Sequence, residues 1–320
     1  MTTPTPITVP TEIKGAIREG ATIVLSMSGG KDSQAMASAV VRYLEENQLD
    51  NRLLAVHADL GRAEWFDTDA TLRSQIEDFG LELHVVQREK GDLLQRIQER
   101  AEKVGDSKPF WPSSAARYCT SDLKRNPIDK LLRTLGSLVI SVEGLRRDES
   151  AARAKKPCWE RRTQIDDKRI MKGLDQGETR EALTWRPIHE WTTEDVWVEL
   201  GTSGEELERR RTEYNLPGSQ EEKDLALIGW PAHAAYVRGN ERLSCSICIL
   251  ASKSDIENGA RHNPDYLAEL VKLEEEYGYT FKADFSLIDL AKKIAADSDR
   301  NEGTFRSADL VDMTHDRAAR

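Results

Sequence analysis

Cysteine is scarce in this chain: four in 320 residues, at positions 119, 158, 245 and 248. So few thiols exclude a disulfide-stapled secreted scaffold and point instead to metal-binding or catalytic roles. Long apolar runs are missing too. No stretch approaches the roughly 20 residues that a membrane span needs, and the polar start M-T-T-P-T-P has no apolar signal core. A soluble cytoplasmic protein without a membrane partner is expected. Positive charge is in deficit, with 46 Lys and Arg against 56 Asp and Glu. That excludes a wholly basic nucleic-acid-coating protein while leaving room for a local basic cleft. His84, His189, His233 and His262 fall singly along the chain, so each reads as a structural or surface residue.

What is present is organised around Ile23 to Ser33, I-V-L-S-M-S-G-G-K-D-S. Ile23, Val24 and Leu25 suit a strand buried on both faces. Ser28, Gly29, Gly30, Lys31, Asp32 and Ser33 follow, then a helical pattern to Glu46. A strand, a tight glycine turn and a helix N-terminus make an anion site: free N–H groups and the helix dipole favour negative charge. Lys31 adds a point charge, and Ser28 and Ser33 add hydroxyl donors. The spacing is not that of a Walker loop, and no third glycine completes a dinucleotide fingerprint. S-G-G-K-D-S resembles instead the pyrophosphate loop of the PP-loop ATP pyrophosphatases. That family cleaves ATP between its α- and β-phosphates and adenylates an oxygen.

Strand patterns recur at Leu53–Ala58, Leu83–Val86 and Leu138–Val142, with a strand end at Trp185, and helical patterns lie between them. The alternation predicts an α/β fold: a doubly wound, mostly parallel sheet of five or six strands, with a helical and irregular C-terminal region. Residues 1–20 are read as a loose Thr/Pro-rich arm and a short helix, 21–200 as the nucleotide-binding domain, and 201–320 as the C-terminal region. The charged span from Cys158 to Arg180 is read as a loop with local strand pairing, and the polar C-terminus as frayed. Further helices are expected at Leu93–Val104, Pro264–Tyr277 and Ser286–Ala296. His57 and Asp59 end the second strand, where open α/β sheets bind ligands. In the family resembled, this stretch lies near the adenosine.

The next constellation is E-G-L-R-R-D-E-S-A-A-R. It carries Gly144, Arg146, Arg147, Asp148, Glu149 and Arg153 just past the strand at 138–142. Arginines there chelate phosphate or sulfate bidentately, and the Asp/Glu pair can order them or hold magnesium. With Pro187-Ile188-x-x-Trp191-Thr192-x-x-Asp195-Val196-Trp197, this segment resembles the phosphoadenylyl-sulfate (PAPS) reductase-like branch of the PP-loop superfamily, in order and over about Ile23 to Cys248. Cys119 matches the place where iron–sulfur adenylyl-sulfate reductases have a Cys-Cys pair, although Thr120 replaces the second cysteine. Cys245 and Cys248 match their later C-x-x-C. The resemblance thus implies three ligands for a [4Fe–4S] cluster, with Cys158 as an unaligned fourth candidate. A zinc site or four reduced thiols are the alternatives.

Those reductases attack the sulfonyl group with a cysteine in the C-terminal tail, and this sequence has no cysteine after Cys248. Tail-driven reduction is therefore disfavoured. G-N-E-R-L-S-C-S-I-C resembles instead the G-N-x-R-x-x-C-x-x-C stretch of the sulfur-inserting proteins of bacterial DNA phosphorothioation, the Dnd and Ssp systems. The resemblance implies ATP with Mg2+, adenylation of a DNA backbone phosphate, a cysteine desulfurase as sulfur donor and other modification-system proteins as partners. Lys31, Asp32, Arg146 and Arg147 would be catalytic. Sulfonucleotide reduction, an ATP sulfurylase small-subunit role and a non-catalytic scaffold remain the rival readings.

Overall fold

The computed structural model of the chain describes residues 5–166 and 179–300. Residues 167–178 of the charged span, the first four residues and the tail after 300 lie outside the described residues. The chain divides into two compact units, each assembled from separate stretches. The first comprises Met1–Asp59, Asp67–Arg88 and Asp122–Leu243; the second comprises Leu60–Phe66, Glu89–Ser121 and Ser244–Arg320. Patterning placed boundaries near residues 20 and 200.

The first unit holds one six-stranded sheet: β1 (Thr22–Ser26), β2 (Leu53–Asp59), β3 (Glu82–Gln87), β4 (Leu138–Glu143), β5 (Trp159–Arg161) and β6 (Glu181–Trp185). The order is β3-β2-β1-β4-β6-β5. Every pairing is parallel except β5 on β6, which is the strand pairing expected after Cys158. Ile23, Val24 and Leu25 are fully buried because β1 is central and covered on both faces. The helix Lys31–Glu46 packs closely through Ala35, Ala37, Ala39 and Val40, all buried. The chain leaves β1 for β2 on one side and pairs β1 with β4 on the other. Such a switch point in a doubly wound sheet opens a crevice at the strands' carboxyl ends.

Residues 5–10, expected as a loose arm, are tied down. The indoles of Trp185 and Trp191 donate to the carbonyls of Thr8 and Pro6 at 2.8 and 3.0 Å, and Thr8 N–H donates to Pro187 O at 2.9 Å. Buried indoles need acceptors, and this segment supplies them.

The second unit is helical. Leu93–Val104 starts on a capping box between Asp92 and Gln95. Pro264–Tyr277 runs from a proline in its first turn to Gly278 at φ 69°, the usual asymmetry of helix ends. Phe110, Trp111, Tyr277, Tyr279 and Phe281 form an aromatic cluster. Among the helices that escaped the sequence reading are Gly204–Tyr214 and Gln220–Leu225 of the first unit and Lys253–His262 of the second. Each is capped by a serine (Ser203, Ser219, Ser252) whose hydroxyl accepts the N–H of an acidic residue three positions on. That S-x-x-[DE] signal was present in the sequence. No helix among the described residues is long and apolar enough to cross a membrane.

Candidate active site

The turn after β1 is built by its own hydrogen bonds. Gly29 takes φ 76°, a left-handed conformation that favours glycine. The Ser33 hydroxyl donates to Gly30 O at 2.8 Å and accepts Ser28 N–H at 3.2 Å, so one side chain staples the loop across its mouth. Gln75 Nε2 donates to Gly29 O at 3.1 Å and to Gln34 Oε1 at 3.0 Å. Loop carbonyls are thereby engaged by donors, and the helix beginning at Lys31 presents its positive end at the turn.

Lys31, Asp32 and Arg146 form a continuous charged chain. Lys31 Nζ lies 2.9 Å from one Asp32 oxygen, and Arg146 Nε lies 2.5 Å from the other. Arg146 Nη1 reaches both oxygens of Asp148 at 2.6 Å. Both Asp32 oxygens are thus occupied, which makes this carboxylate a clamp on two cations. Arg146 is 3% and Lys31 4% exposed. Burial pulls the Lys31 ammonium pKa down, but Tyr236 and Asp32 outweigh it and the net shift is upward. Burial pushes the Asp32 carboxyl up, yet Lys31 and Arg146 bring it below its usual value. Both groups are therefore charged at neutral pH. Gly144 makes the juxtaposition possible, since a Cβ there would stand 2.6 Å from Asp32 O and 2.9 Å from Ser33 N.

The loop also has a roof that sequence reasoning missed. Lys31 N–H donates to the Tyr236 hydroxyl at 3.1 Å, and the Lys31 ammonium lies 5.3 Å from the Tyr236 ring and 5.7 Å from that of Trp197. The two rings meet edge to face at 5.4 Å. A Cβ on Gly30 would sit 3.3 Å from Tyr236 Oη and from Leu243 Cβ; one on Gly29 would meet His233, Thr68 and Leu243 at 3.6–3.7 Å. Gln34 Nε2 holds Pro231 O at 2.8 Å. Nothing in the spacing of Pro231, His233 or Tyr236 marked them, because the partners of Pro231 and Tyr236 lie some 200 positions earlier.

A pocket of about 360 Å³ opens beside this cluster, lined among others by Lys31, Arg146, Glu149, Thr193, Trp197 and Arg242. Its volume falls within the range of small-ligand sites. Glu149 accepts Arg146 N–H at 3.1 Å, pairs with Arg153 and lies 3.4 Å from Arg242. Arg153 therefore reaches the cluster through Glu149. Arg147 turns away and pairs with Glu190 at 2.5 Å, both half exposed. His57 is buried on β2, its Nδ1 3.1 Å from Met27 O; that carbonyl accepts, so Nδ1 carries the proton. Asp59 closes the same strand at intermediate exposure.

The cysteines separate by unit. Cys119, Cys245 and Cys248 belong to the second and Cys158 to the first, and all four are half-buried thiols. The C-x-x-C loop is anchored at its centre: Ser246 N–H donates to Ala63 O at 2.8 Å, and Asn263 Nδ2 donates to Ser246 Oγ at 3.0 Å. Gly259 lets the Lys253–His262 helix press on it, since a Cβ there would fall 1.7 Å from Ser246 O. Beside Cys119, Tyr118 donates to Phe110 O at 2.8 Å and carries the guanidinium groups of Arg96 and Arg100 on its ring. Cys158 donates instead to Arg186 O at 3.4 Å, and burial pushes its thiol pKa up. Among the described residues no three His, Cys, Asp or Glu side chains are placed to hold a single metal ion.

No curated protein matches the chain. Among solved structures it is similar to the "U34-tRNA thiolase NcsA from Methanococcus maripaludis with its [4Fe-4S] cluster", at 14% identity and a TM-score of 0.39. That match covers 92% of this chain and 81% of the other, a likeness too distant to carry over a substrate or a cluster. The family described as "Phosphoadenosine phosphosulfate reductase domain" matches residues 22–207, more than half of the chain, from the start of β1 through the glycine turn, the arginine cluster and Trp197. The chain belongs to that family, on the PP-loop fold.

Proposed function

We propose that this protein is an ATP pyrophosphatase that adenylates an acceptor oxygen, a DNA backbone phosphate, for replacement by sulfur. One observation carries the ATP reading: the Lys31–Asp32–Arg146 chain at a glycine turn on a helix N-terminus, opening into a pocket. Two buried cations there suit a pyrophosphate leaving group. The acceptor oxygen attacks the α-phosphorus, and the α,β-bridging bond breaks with its electron pair going to pyrophosphate. Lys31 and Arg146 neutralise the charge that develops. Asp32 orients both cations, while Asp148 and Glu149 set Arg146 and are the carboxylates available to magnesium on the nucleotide. Sulfide then attacks the acceptor's own phosphorus: a P–S bond forms, the bond from that phosphorus to the adenylated oxygen breaks, and the oxygen leaves with its electron pair in AMP.

The DNA acceptor rests on the G-N-x-R-x-x-C-x-x-C resemblance. The cluster reading follows the same resemblance: among the described residues no three side chains are placed on a single ion, and a [4Fe–4S] core takes its thiolates on separate irons. A single zinc draws them into one tetrahedron. Cys119, Cys245 and Cys248 would hold the cluster, which would supply an iron on which to carry sulfur. Cys158, with a carbonyl partner and a raised pKa, offers a poorer thiolate.

The test is anaerobic incubation with ATP, DNA and sulfide, with products identified and DNA digests analysed for phosphorothioate by mass spectrometry. AMP and pyrophosphate should form, and Lys31→Ala should reduce them by about 10²-fold, the size of a lost electrostatic contact in a dry site. Unchanged AMP formation in that variant would sink the loop's assignment. Sulfite from a sulfonucleotide would favour the reductase reading, which the family's description supports.

A further inference from the structure

Tyr266 is 2% exposed, and its hydroxyl has no hydrogen-bond partner among the described residues. A phenol that has left water and gained nothing is an exception among buried polar groups and calls for an explanation. Its surroundings supply one. Tyr266 stands in the first turn of the Pro264–Tyr277 helix, its N–H donating to the capping Asn263 Oδ1 at 3.4 Å. The other end of that Asn263 amide grips Ser246, between the two cysteines of the C-x-x-C loop, at 3.0 Å. The helix turn carrying the orphan hydroxyl is therefore fastened to the cysteine loop. Burial raises the phenol's pKa most, followed by Cys245, Asp92, Cys248 and Tyr118, the residue before Cys119. Cys245 and Cys248, together with the residue before Cys119, thus all act electrostatically on this one hydroxyl.

We propose that the Tyr266 hydroxyl is a positioning donor for the cysteine site, hydrogen-bonded to a sulfur of the group that Cys119, Cys245 and Cys248 bind. The proposal rests on the cluster reading above and adds to it a residue without metal-binding character. Thiolate and sulfide sulfur are the acceptors such a buried donor would meet there. Hydrogen bonds to sulfur stabilise the more negative, reduced cluster and raise its potential. A donor waiting for an acceptor leaves a specific signature: its hydroxyl contributes nothing to the protein without the bound group, and contributes once the group is present.

The test compares the full chain with Tyr266→Phe, which keeps the ring and removes only the hydroxyl. Both are purified anaerobically, assayed for iron and sulfide, and unfolded thermally in iron-free and iron-loaded forms. The iron-free variant should melt at the same temperature as the parent or higher, because an unpaired buried hydroxyl is a cost. The loaded variant should hold the same iron, have a more negative midpoint potential and bleach several-fold faster under chelator. If the parent binds no iron and sulfide, the cluster reading and this inference fall together. If both load and show the same potential and bleaching rate, the cluster reading stands and the inference fails. A less stable iron-free variant would mean that the hydroxyl already has a partner, such as a trapped water, and would also overturn it.

Discussion

Tyr236→Phe is the sharpest perturbation of the glycine turn. The hydroxyl accepts Lys31 N–H at 3.1 Å, and the residue is 1% exposed. Phenylalanine keeps the edge-to-face contact with Trp197 and the ring beneath the Lys31 ammonium, so the change isolates a single acceptor. What remains is a buried amide N–H, on a residue 4% exposed, with nothing to donate to. Such an orphan costs about 1–3 kcal/mol, and at about 1.4 kcal/mol per tenfold this is roughly 5- to 150-fold in an equilibrium constant. The loss falls on the loop conformation that would receive ATP in the proposed reaction. Two assays follow: thermal unfolding, which should drop by several degrees, and kcat/KM for AMP formation, which should fall by about tenfold or more. Tyr266→Phe is the matched control, a tyrosine of equal burial whose hydroxyl has no partner and whose loss should leave the iron-free protein no less stable. If Tyr236→Phe melts with the parent and turns ATP over with unchanged kcat/KM, the hydroxyl does not hold the turn.

Gly144→Ala places a methyl 2.6 Å from a backbone oxygen and 2.9 Å from a backbone nitrogen of the turn, atoms that cannot swing aside. Overpacking of this kind costs about 1–3 kcal/mol. Because Arg146 lies two residues on, AMP formation should fall by about 10²-fold, as for an ångström-scale misplacement; parental rates would show that the close approach does not matter. The pH dependence follows from signs. The Asp32 pKa is lowered, so its stabilisation is present above the usual value near 3.8 and is lost as pH falls through the depressed folded value. The Lys31 pKa is raised, so its stabilisation is present below 10.5 and is lost as pH rises through the elevated folded value. Melting followed downward from about pH 5 should therefore decline less steeply in Asp32→Asn than in the parent. Equal slopes would mean that Asp32 is not the group titrating.

The strands were legible because burial on both faces forces continuous apolar runs, as at Ile23–Leu25 and Leu138–Val142, and the glycine turn because phosphate chemistry restricts its residues. The helix Leu93–Val104 was expected with the observed bounds, and the structure adds its cap at Asp92. The order β3-β2-β1-β4-β6-β5 follows from the alternation only up to the side on which each later strand joins. Gly144 stood in a recognisable motif, but its reason, contact with the backbone of Asp32, is tertiary. Arg147 shows the converse: the motif placed two adjacent arginines alike, and alternation of the backbone sends Arg146 inward to Asp32 and Arg147 outward to Glu190. Tyr236 and Tyr266 were invisible because a buried tyrosine reads as core until the partner of its hydroxyl, or the lack of one, is known.

The site's two halves differ in origin. The loop, Gly144, Arg146 and Trp197 all fall within residues 22–207, which match the family, whereas His233, Tyr236, Arg242 and Leu243 come after it. The first set holds charge at the carboxyl ends of β1 and β4, the edge where any nucleotide or sulfonucleotide phosphate would dock in this fold. The second covers the glycines and adds Arg242, a side chain half exposed and held, among the described residues, by a 3.4 Å contact with Glu149. A loosely held guanidinium at a pocket edge can change partner at little cost, unlike Arg146, which already meets two carboxylates. The binding charge therefore lies inside the stretch that matches the family, while the wall facing it lies beyond that stretch. Differences in which anion is accepted should map to residues 231–243 rather than to S-G-G-K-D-S. Exchanging that segment should alter substrate preference while leaving Lys31 paired with Asp32.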